Sequence, residues 1–436
     1  MSSRSADIVV VGAGIIGASA ALELSKLGRN VVVVDKAGGP GYGSTSASSA
    51  VVRFNYSTWD GVATAWESKQ CWDAWEDHLQ FRDSAGLASF HRTGKVMLDV
   101  PIAPVAKAVE LFDQVGVPYE VWDAATLRAR IPGIDSGRYW PPKPVDADAF
   151  FADAEHQLGG LYTPDAGFVD DPQLATHNLA AAAQHRGVEF VFNRRVVAVD
   201  RSGGRVHGVR LSDGSTISTP VVLNAAGPWS HRLNDLADVG EDFTVNVRPM
   251  RQEVHQVPAP PGYHTGPLVP LIADLDLGTY IRPDHRGDFL LVGGTEPECD
   301  PFEWIDDPDQ ADPRATNDRF RAQVTRAARR LPELTVPNSA TGVAGVYDVT
   351  DDWTPIYDRT SVDGFYVAIG TSGNQFKNAP LVGQFMASLI SAVEAGHDHD
   401  GDALAFHCPR TGNTVNLGAF SRKRPVNSGS SGTVMG

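Results

Sequence analysis

The sequence predicts an α/β protein, α+β overall, in which a doubly wound core of parallel strands and helices carries an inserted, mostly antiparallel sheet. Three observations carry this reading. A strand, a glycine-rich turn, a helix and a second strand follow one another between residues 7 and 35. Two further continuous apolar runs, Pro220 to Gly227 and Gly364 to Gly370, lie far downstream. Between them are Pro-rich segments with alternating strand patterns, such as Thr279-Tyr280-Ile281-Arg282. Continuous apolar runs suit strands buried on both faces of a parallel sheet, whereas alternation suits antiparallel strands with one face covered.

The first element is the most specific. Ile8 to Val11 enters Gly12-Ala13-Gly14-Ile15-Ile16-Gly17, a helix follows to Leu27, and Asn30 to Val34 delivers Asp35 and Lys36. Gly12 permits the tight turn, Gly14 lets the backbone approach a pyrophosphate, and Gly17 lets helix and strand pack closely. The helix start at Ile15 and Ile16 offers N–H groups and a positive dipole end to phosphate. Asp35, about 20 residues on, can accept hydrogen bonds from a ribose, with Lys36 beside it. Glycine triplets arise by chance, but the strand–turn–helix setting and the acid make this a dinucleotide-binding fingerprint.

The remaining elements follow in order. Pro172 to Arg186 has helical spacing; Val188 to Phe192 and Val196 to Val199 read as strands; Asp213-Gly214 marks a hairpin turn between residues 208–211 and 216–217. Thr279 to Arg282 and Phe289 to Gly294 read as antiparallel strands, and Asp312 to Leu331 as an amphipathic helix. The domain reading is a discontinuous nucleotide domain (1–84, 146–239 and 341–426) and a substrate domain (85–145 and 240–340). The Gly- and Ser-rich residues 427–436 read as a flexible tail.

Composition narrows the partners. A chain of 436 residues exceeds one compact core, which favours two domains or a large insertion. With 37 basic against 53 acidic side chains the net charge is −16, which argues against nucleic acid or an anionic membrane surface as a partner. Cys71, Cys299 and Cys408 show no CxxC spacing, so a reducing, cytoplasmic setting is expected. The 13 histidines show no paired-ligand spacing, so no metal is expected, and His397-Asp398-His399-Asp400 reads as a solvated loop. No GxSxG elbow is present, which removes serine hydrolase chemistry.

The co-linear segments GAGIIG (12–17), GSTSASSAVVR (43–53), RTGKVML (92–98), GFVDDPQL (167–174), VLNAAGPWS (222–230), YIRPD (280–284), GVYDVTDDWTPI and GTSGNQFKNAP resemble the D-amino-acid oxidase and sarcosine oxidase (glycine oxidase-like) family of FAD-dependent oxidoreductases. The resemblance runs from residue 7 to about residue 424. It implies FAD rather than NAD, a Rossmann-like nucleotide domain of glutathione-reductase type, and a substrate domain whose sheet covers the flavin ring.

It also implies site residues. Arg53 and Lys377 match the cations that clamp a substrate carboxylate beside the flavin, fixing a C–H toward flavin N5. On residue type alone both would read as exposed cations. Gly370, Gly373, Asn374, Gln375 and Phe376 precede Lys377 in a segment whose N–H groups can face the reduced ring, although many relatives carry a histidine at Asn374 or Gln375. Ser44, Thr45 and Ser46 match the pyrophosphate or ribityl contacts, Val197 a backbone contact to adenine, and Ala225, Ala226 and Gly227 the small residues that crowd the nucleotide. Trp229 is a further cofactor contact. Tyr347 and Gly345 are placed near the ring. Gly345 replaces the cysteine, and Ala47 the histidine, to which some relatives bond their flavin, so FAD is expected to be non-covalent. No lysine stands near Thr279 and Tyr280, where single-subunit relatives carry one that promotes reaction with O2, so oxidase and dehydrogenase both stay open.

The implied reaction is oxidation of a small carboxylated amine, a secondary or N-methylated amino acid, by hydride transfer and imine hydrolysis, with O2 or an electron carrier taking the electrons. A 2-hydroxy-acid or D-amino-acid oxidoreductase, and a non-catalytic flavin-binding assembly factor or subunit, are the alternatives.

Overall fold

The computed structural model describes residues 3–263 and 268–435. Among these, a six-stranded sheet runs in the order Glu189–Val191, Val31–Val34, Ile8–Val11, Val221–Asn224, Phe365–Ile369 and Ile356–Arg359. All neighbours are parallel except the last pair. Its four central strands are buried at every residue, as their unbroken apolar runs require.

One face of this sheet carries the helices Ile15–Lys26, Pro172–His185 and Ala379–Glu394, whose apolar side chains join it in the largest core cluster. The other face packs against strands Val196–Ser202, Arg205–Leu211 and Thr216–Ser218, with Gly214 in the left-handed conformation at their turn. Close packing depends on two glycines. A Cβ at Gly17 would lie 1.9 Å from the Gly12 carbonyl oxygen, and one at Gly383 would lie 2.4 Å from Ser19 Oγ on the facing helix.

The second sheet has nine strands among the described residues. Its long strand Val247–Pro258 pairs with Gly342–Thr350 on one side and Phe289–Gly294 on the other, and Thr279–Pro283 and Leu271–Asp274 continue it. The sheet is antiparallel except where Leu271–Asp274 meets Lys95–Leu98. The helix Asn317–Arg330 covers it and is fixed by Arg330, which donates to Asp274 and Asp276 with all three side chains shut from solvent. Such a group is held by its pairing, because a lone buried charge is costly.

Several details differ from the sequence reading. Gly160–Thr163 and Gly342–Thr350 lie outside the expected substrate segments yet pair within the nine-stranded sheet. The amphipathic helix starts at Asn317, not Asp312, because Thr316 caps it by accepting from Arg319 N–H. The 397–400 loop is not simply solvated: His399 is buried, with Nδ1 accepting from Leu404 N–H, and Asp400 pairs with the buried Arg422. The largest difference is the tail. Its described residues, 427–435, are hydrogen-bonded into the protein, and Thr433 and Met435 are buried.

Candidate active site

Two depressions meet at one loop. The larger is a cleft over the strand ends of the parallel sheet, enclosing about 1700 Å³ with open solvent included. It begins at the glycine turn. Gly12 takes φ +108° and sits against the backbone of Ala225 and Ala226, so a Cβ there would fall 2.3 Å from the Ala225 carbonyl oxygen. Gly14 caps the helix without a side-chain bond of its own, and Thr45 Oγ1 accepts from Ile15 N–H at 3.2 Å. In front of Gly14 a Cβ would meet only that hydroxyl, at 3.3 Å, so the approach to the helix start is open.

Asp35 is fixed for its task by two backbone donors, Ala13 N–H at 2.6 Å and Ala37 N–H at 2.7 Å. Lys36 lies over the Trp229 ring at 3.6 Å and pairs with Asp309, an acid from the inserted segment. Asp309 also accepts from Trp229 Nε1 and from Arg195 and Arg232; against burial, which raises it, Lys36 first and then Arg195 hold its carboxyl down, to about 2.

The second depression adjoins the cleft under the antiparallel sheet. Arg53, Lys95 and Lys377 line it together with Tyr280 and Tyr347. The hydrogen-bond partners of these three cations are neutral. Lys95 Nζ donates to Asn55 Oδ1 at 2.6 Å; Lys377 Nζ donates to Tyr56 Oη at 2.7 Å and to the Asn374 carbonyl at 2.5 Å. Arg53 donates to the carbonyls of Asn55, Val434 and Met435. Burial, then the charge of Arg53, lowers both lysines well below the usual ammonium range, and Lys95 depresses Lys377 further. Asn55 Nδ2 is buried with no partner.

The loop from Gly370 to Lys377 is the wall between the two. Thr371, Gly373, Gln375 and Phe376 face the cleft, while Gly373, Asn374, Phe376 and Lys377 face the second pocket. It bends through three left-handed residues, Gly370, Ser372 and Gly373, and Gly373 is required because a Cβ would strike the Tyr347 ring at 2.2 Å. Tyr357 Oη donates to Gln375 Oε1 and Tyr56 Oη donates to the Asn374 carbonyl, so the loop is tied from both sides.

Most of the residues read from sequence converge here. Gly12, Gly14, Ile15, Ile16, Asp35, Lys36, Ser44, Thr45, Ala225, Ala226, Gly227, Trp229, Gly345, Tyr347, Gly373, Gln375 and Phe376 line the cleft. Gly17, Ser46 and Gly370 do not line it, the exposed Ser46 donating to the Gly43 carbonyl instead, and Asn374 and Lys377 belong to the second pocket. Val197 does not line the cleft; it is 42% exposed and its neighbour Val196 lines it, because a register shift between Val196 and Ala198 turns the strand. Gly345 and Ala47 are adjacent, a Cβ on Gly345 falling 2.9 Å from that of Ala47. The two positions that the resemblance marks for flavin attachment thus carry unreactive residues on one side of the cleft.

Sequence reading missed Lys95, Asn55, Tyr56, Glu296 and the tail residues Val434 and Met435. Lys95 left a signal, a lone charge heading the apolar run Val96-Met97-Leu98. Among the described residues no His, Cys, Asp and Glu cluster suits a metal ion, and no helix is long and apolar enough to cross a membrane.

A glycine-cradled cleft at the helix start, walled by a backbone loop that also bounds a cation-lined pocket, defines a dinucleotide-dependent oxidoreductase. The model of the FAD-dependent oxidoreductase family known as DAO matches residues 7–389, and the chain belongs to that family. It is similar to glycine oxidase of Geobacillus kaustophilus, at 26% identity over 93% of this chain and 98% of that protein. It is also similar to sarcosine oxidase subunit beta of an Arthrobacter species, at 25% identity over 90% of this chain and 88% of that protein. Among solved structures, L-proline dehydrogenase from P. horikoshii superposes with a TM-score of 0.75 over 97% of this chain and 98% of its own, at 21% identity. The cofactor is FAD, and the cleft fits it: the glycine turn and Asp35 suit the adenosine and pyrophosphate, and the loop before Lys377 suits the ring end.

Proposed function

We propose that the protein oxidises a small amine that carries a carboxylate, a secondary or N-methylated amino acid of the sarcosine or dimethylglycine kind, and passes the electrons to O2 or an electron carrier. The observation that carries this reading is the second pocket. Its three basic side chains hydrogen-bond only to neutral groups, and the nearest acid, Glu296, is pushed up to about 8 by burial, so the pocket calls for an anionic ligand. A carboxylate satisfies that need.

Bound FAD supplies the acceptor for the hydride that leaves the carbon beside the nitrogen. The chain's own residues orient and dehydrate the substrate. Lys377, at the end of the loop that faces the ring, holds the carboxylate, and Lys95 with Arg53 adds positive charge in the same pocket. Both lysine ammonium groups are depressed when the pocket is empty, and a bound carboxylate restores their charge. The same low-dielectric walls favour the neutral form of the incoming amine, which is the form able to release a hydride. Gln375 and the backbone of Gly373 stand on the cleft side, where charge accumulates as the ring is reduced.

Anaerobic mixing with sarcosine, dimethylglycine, proline, D-amino acids and 2-hydroxy acids tests the proposal. Bleaching of the flavin absorbance by a secondary or N-methylated amino acid is expected. Faster bleaching by 2-hydroxy acids would replace the amine with an alcohol donor, and bleaching by none would leave a flavin-binding protein without this activity.

A further inference from the structure

We propose that residues 427–435 form a fixed wall of the substrate pocket and set which amines it admits, with Arg53 and Glu296 as the latch that holds this wall. The inference rests on the second pocket being the substrate site, and extends it to a segment that the reaction itself does not use.

Arg53 and Glu296 are both buried, and they grip the same stretch of backbone from opposite sides. Glu296 Oε2 accepts from Val434 N–H at 2.8 Å; Arg53 donates to the Val434 carbonyl and, at 3.3 Å, to that of Met435. Glu296 reaches this position from a left-handed backbone at φ +49°, which a glutamate rarely adopts, and Gln252 Nε2 fixes its other oxygen at 2.9 Å. Strain of this kind persists where the surroundings hold the residue to a task. Here the task is to meet the Val434 amide.

The segment is tied upstream as well. Asn427 donates its N–H to Asp352, which also pairs with Arg424 at 2.9 Å, and Asn427 Nδ2 donates to Ser57 Oγ. Met435 is buried among Met97, Val100, Ala273 and Leu275, on the sheet beside the pocket, and Val434 packs against the cluster of Met250, Val349 and Trp353. Both residues line the pocket together with the lysines. Withdrawing the segment would expose this apolar surface and strip a buried guanidinium of two of its three acceptors and a buried carboxyl of its backbone donor. Those features distinguish a wall from a plug that leaves when substrate arrives.

The FAD-loaded enzyme tests this in three ways. Amide hydrogen exchange of the full chain is expected to be slow at Val434 and Met435; exchange at the rate of an open tail would overturn the proposal without any substrate being needed. In anaerobic stopped-flow, Met435→Ala should raise the efficiency for a bulky N-methyl amino acid relative to sarcosine by about 10-fold, the scale of one or two methylenes in an apolar pocket. Met435→Trp should move that ratio the other way, and a ratio indifferent to both changes would overturn the proposal.

A chain ending at residue 429 should keep FAD yet bind sarcosine at least about 10-fold more weakly, as expected when several pocket contacts go, and a synthetic peptide of residues 430–436 should restore part of the loss. Faster reduction by every amine in the shortened chain would instead mark the segment as a plug. If the full chain is bleached by no amine, the substrate reading fails, whereas bleaching that ignores all three variants sinks only the wall.

Discussion

The nucleotide cleft and the substrate pocket share one loop but are built by opposite rules. The cleft is made by absence: Gly12, Gly14, Ala225, Ala226 and Gly227 contribute backbone and little else. The pocket is made by presence, with Arg53, Lys95, Lys377, Tyr280, Tyr347 and Met435 brought together from six separate segments. Backbone cradles tolerate almost no added atoms, while a pocket of long side chains changes affinity by degrees. The comparison teaches where each region is fragile, and the two should fail differently.

The largest effect belongs to the cleft. Gly12→Val combines a left-handed backbone with a Cβ placed 2.3 Å from the Ala225 carbonyl oxygen. The purified variant should carry no flavin absorbance, and a variant that retained the full complement would show that the turn does not bear on FAD. The same cleft has Gly345 and Ala47 side by side, where the resemblance leads to an expectation of covalent attachment in other members. Acid precipitation of the wild-type protein should therefore leave a colourless pellet and a yellow supernatant.

The pocket should respond in proportion. Lys377→Met removes a charge-assisted contact of about 1.5–3 kcal/mol and should weaken substrate binding by roughly 10- to 150-fold while FAD stays bound. Lys95→Met should weaken it less, by about 10-fold, because Lys95 is bonded to Asn55 and does not belong to the loop that meets the ring. Stopped-flow reduction at varied substrate separates these from changes in the hydride step. Equal losses in the two variants would remove the distinction between a direct contact and an added charge.

The same contrast explains what could be read from sequence. The cleft was legible because its requirements are local: a glycine spacing fixes a turn, a helix start and a strand end within 29 residues, Asp7 to Asp35. Val197 marks the limit of even that region, since a register shift in its strand puts Val196 at the cleft instead, and no residue pattern announces a bulge. The pocket was legible at Arg53, Tyr347 and the loop that ends on Lys377, which is also the cleft wall. Lys95 and Glu296 reach it through sheet pairing over long separations, and Val434 and Met435 come from a stretch whose Gly and Ser content reads as loose chain. Its order comes from distant partners, Arg53, Glu296, Asp352 and Ser57, which no local pattern announces.

That last point gives the smallest and most specific expectation, a pH dependence. Burial is the main reason the Glu296 carboxyl rises from its ordinary 4.5 to about 8, against the Val434 N–H and the Arg53 charge, which both pull it down. A raised value means the folded chain holds this proton more tightly than the unfolded chain does. The corresponding stability is complete below about 4.5 and is lost as pH rises through about 8. Lys95 and Lys377, lowered by burial, act in the opposite sense, since they disfavour the folded state as pH falls and their ammonium groups form. Comparing wild type with Glu296→Gln isolates the acid. Glutamine keeps the oxygen that accepts from Val434 and never ionises, so the two proteins should melt alike at about pH 5 and the variant should melt a few degrees higher at about pH 9. Identical curves across that range would mean that Glu296 is not shut from water. The pocket's wall would then be held by Arg53 alone.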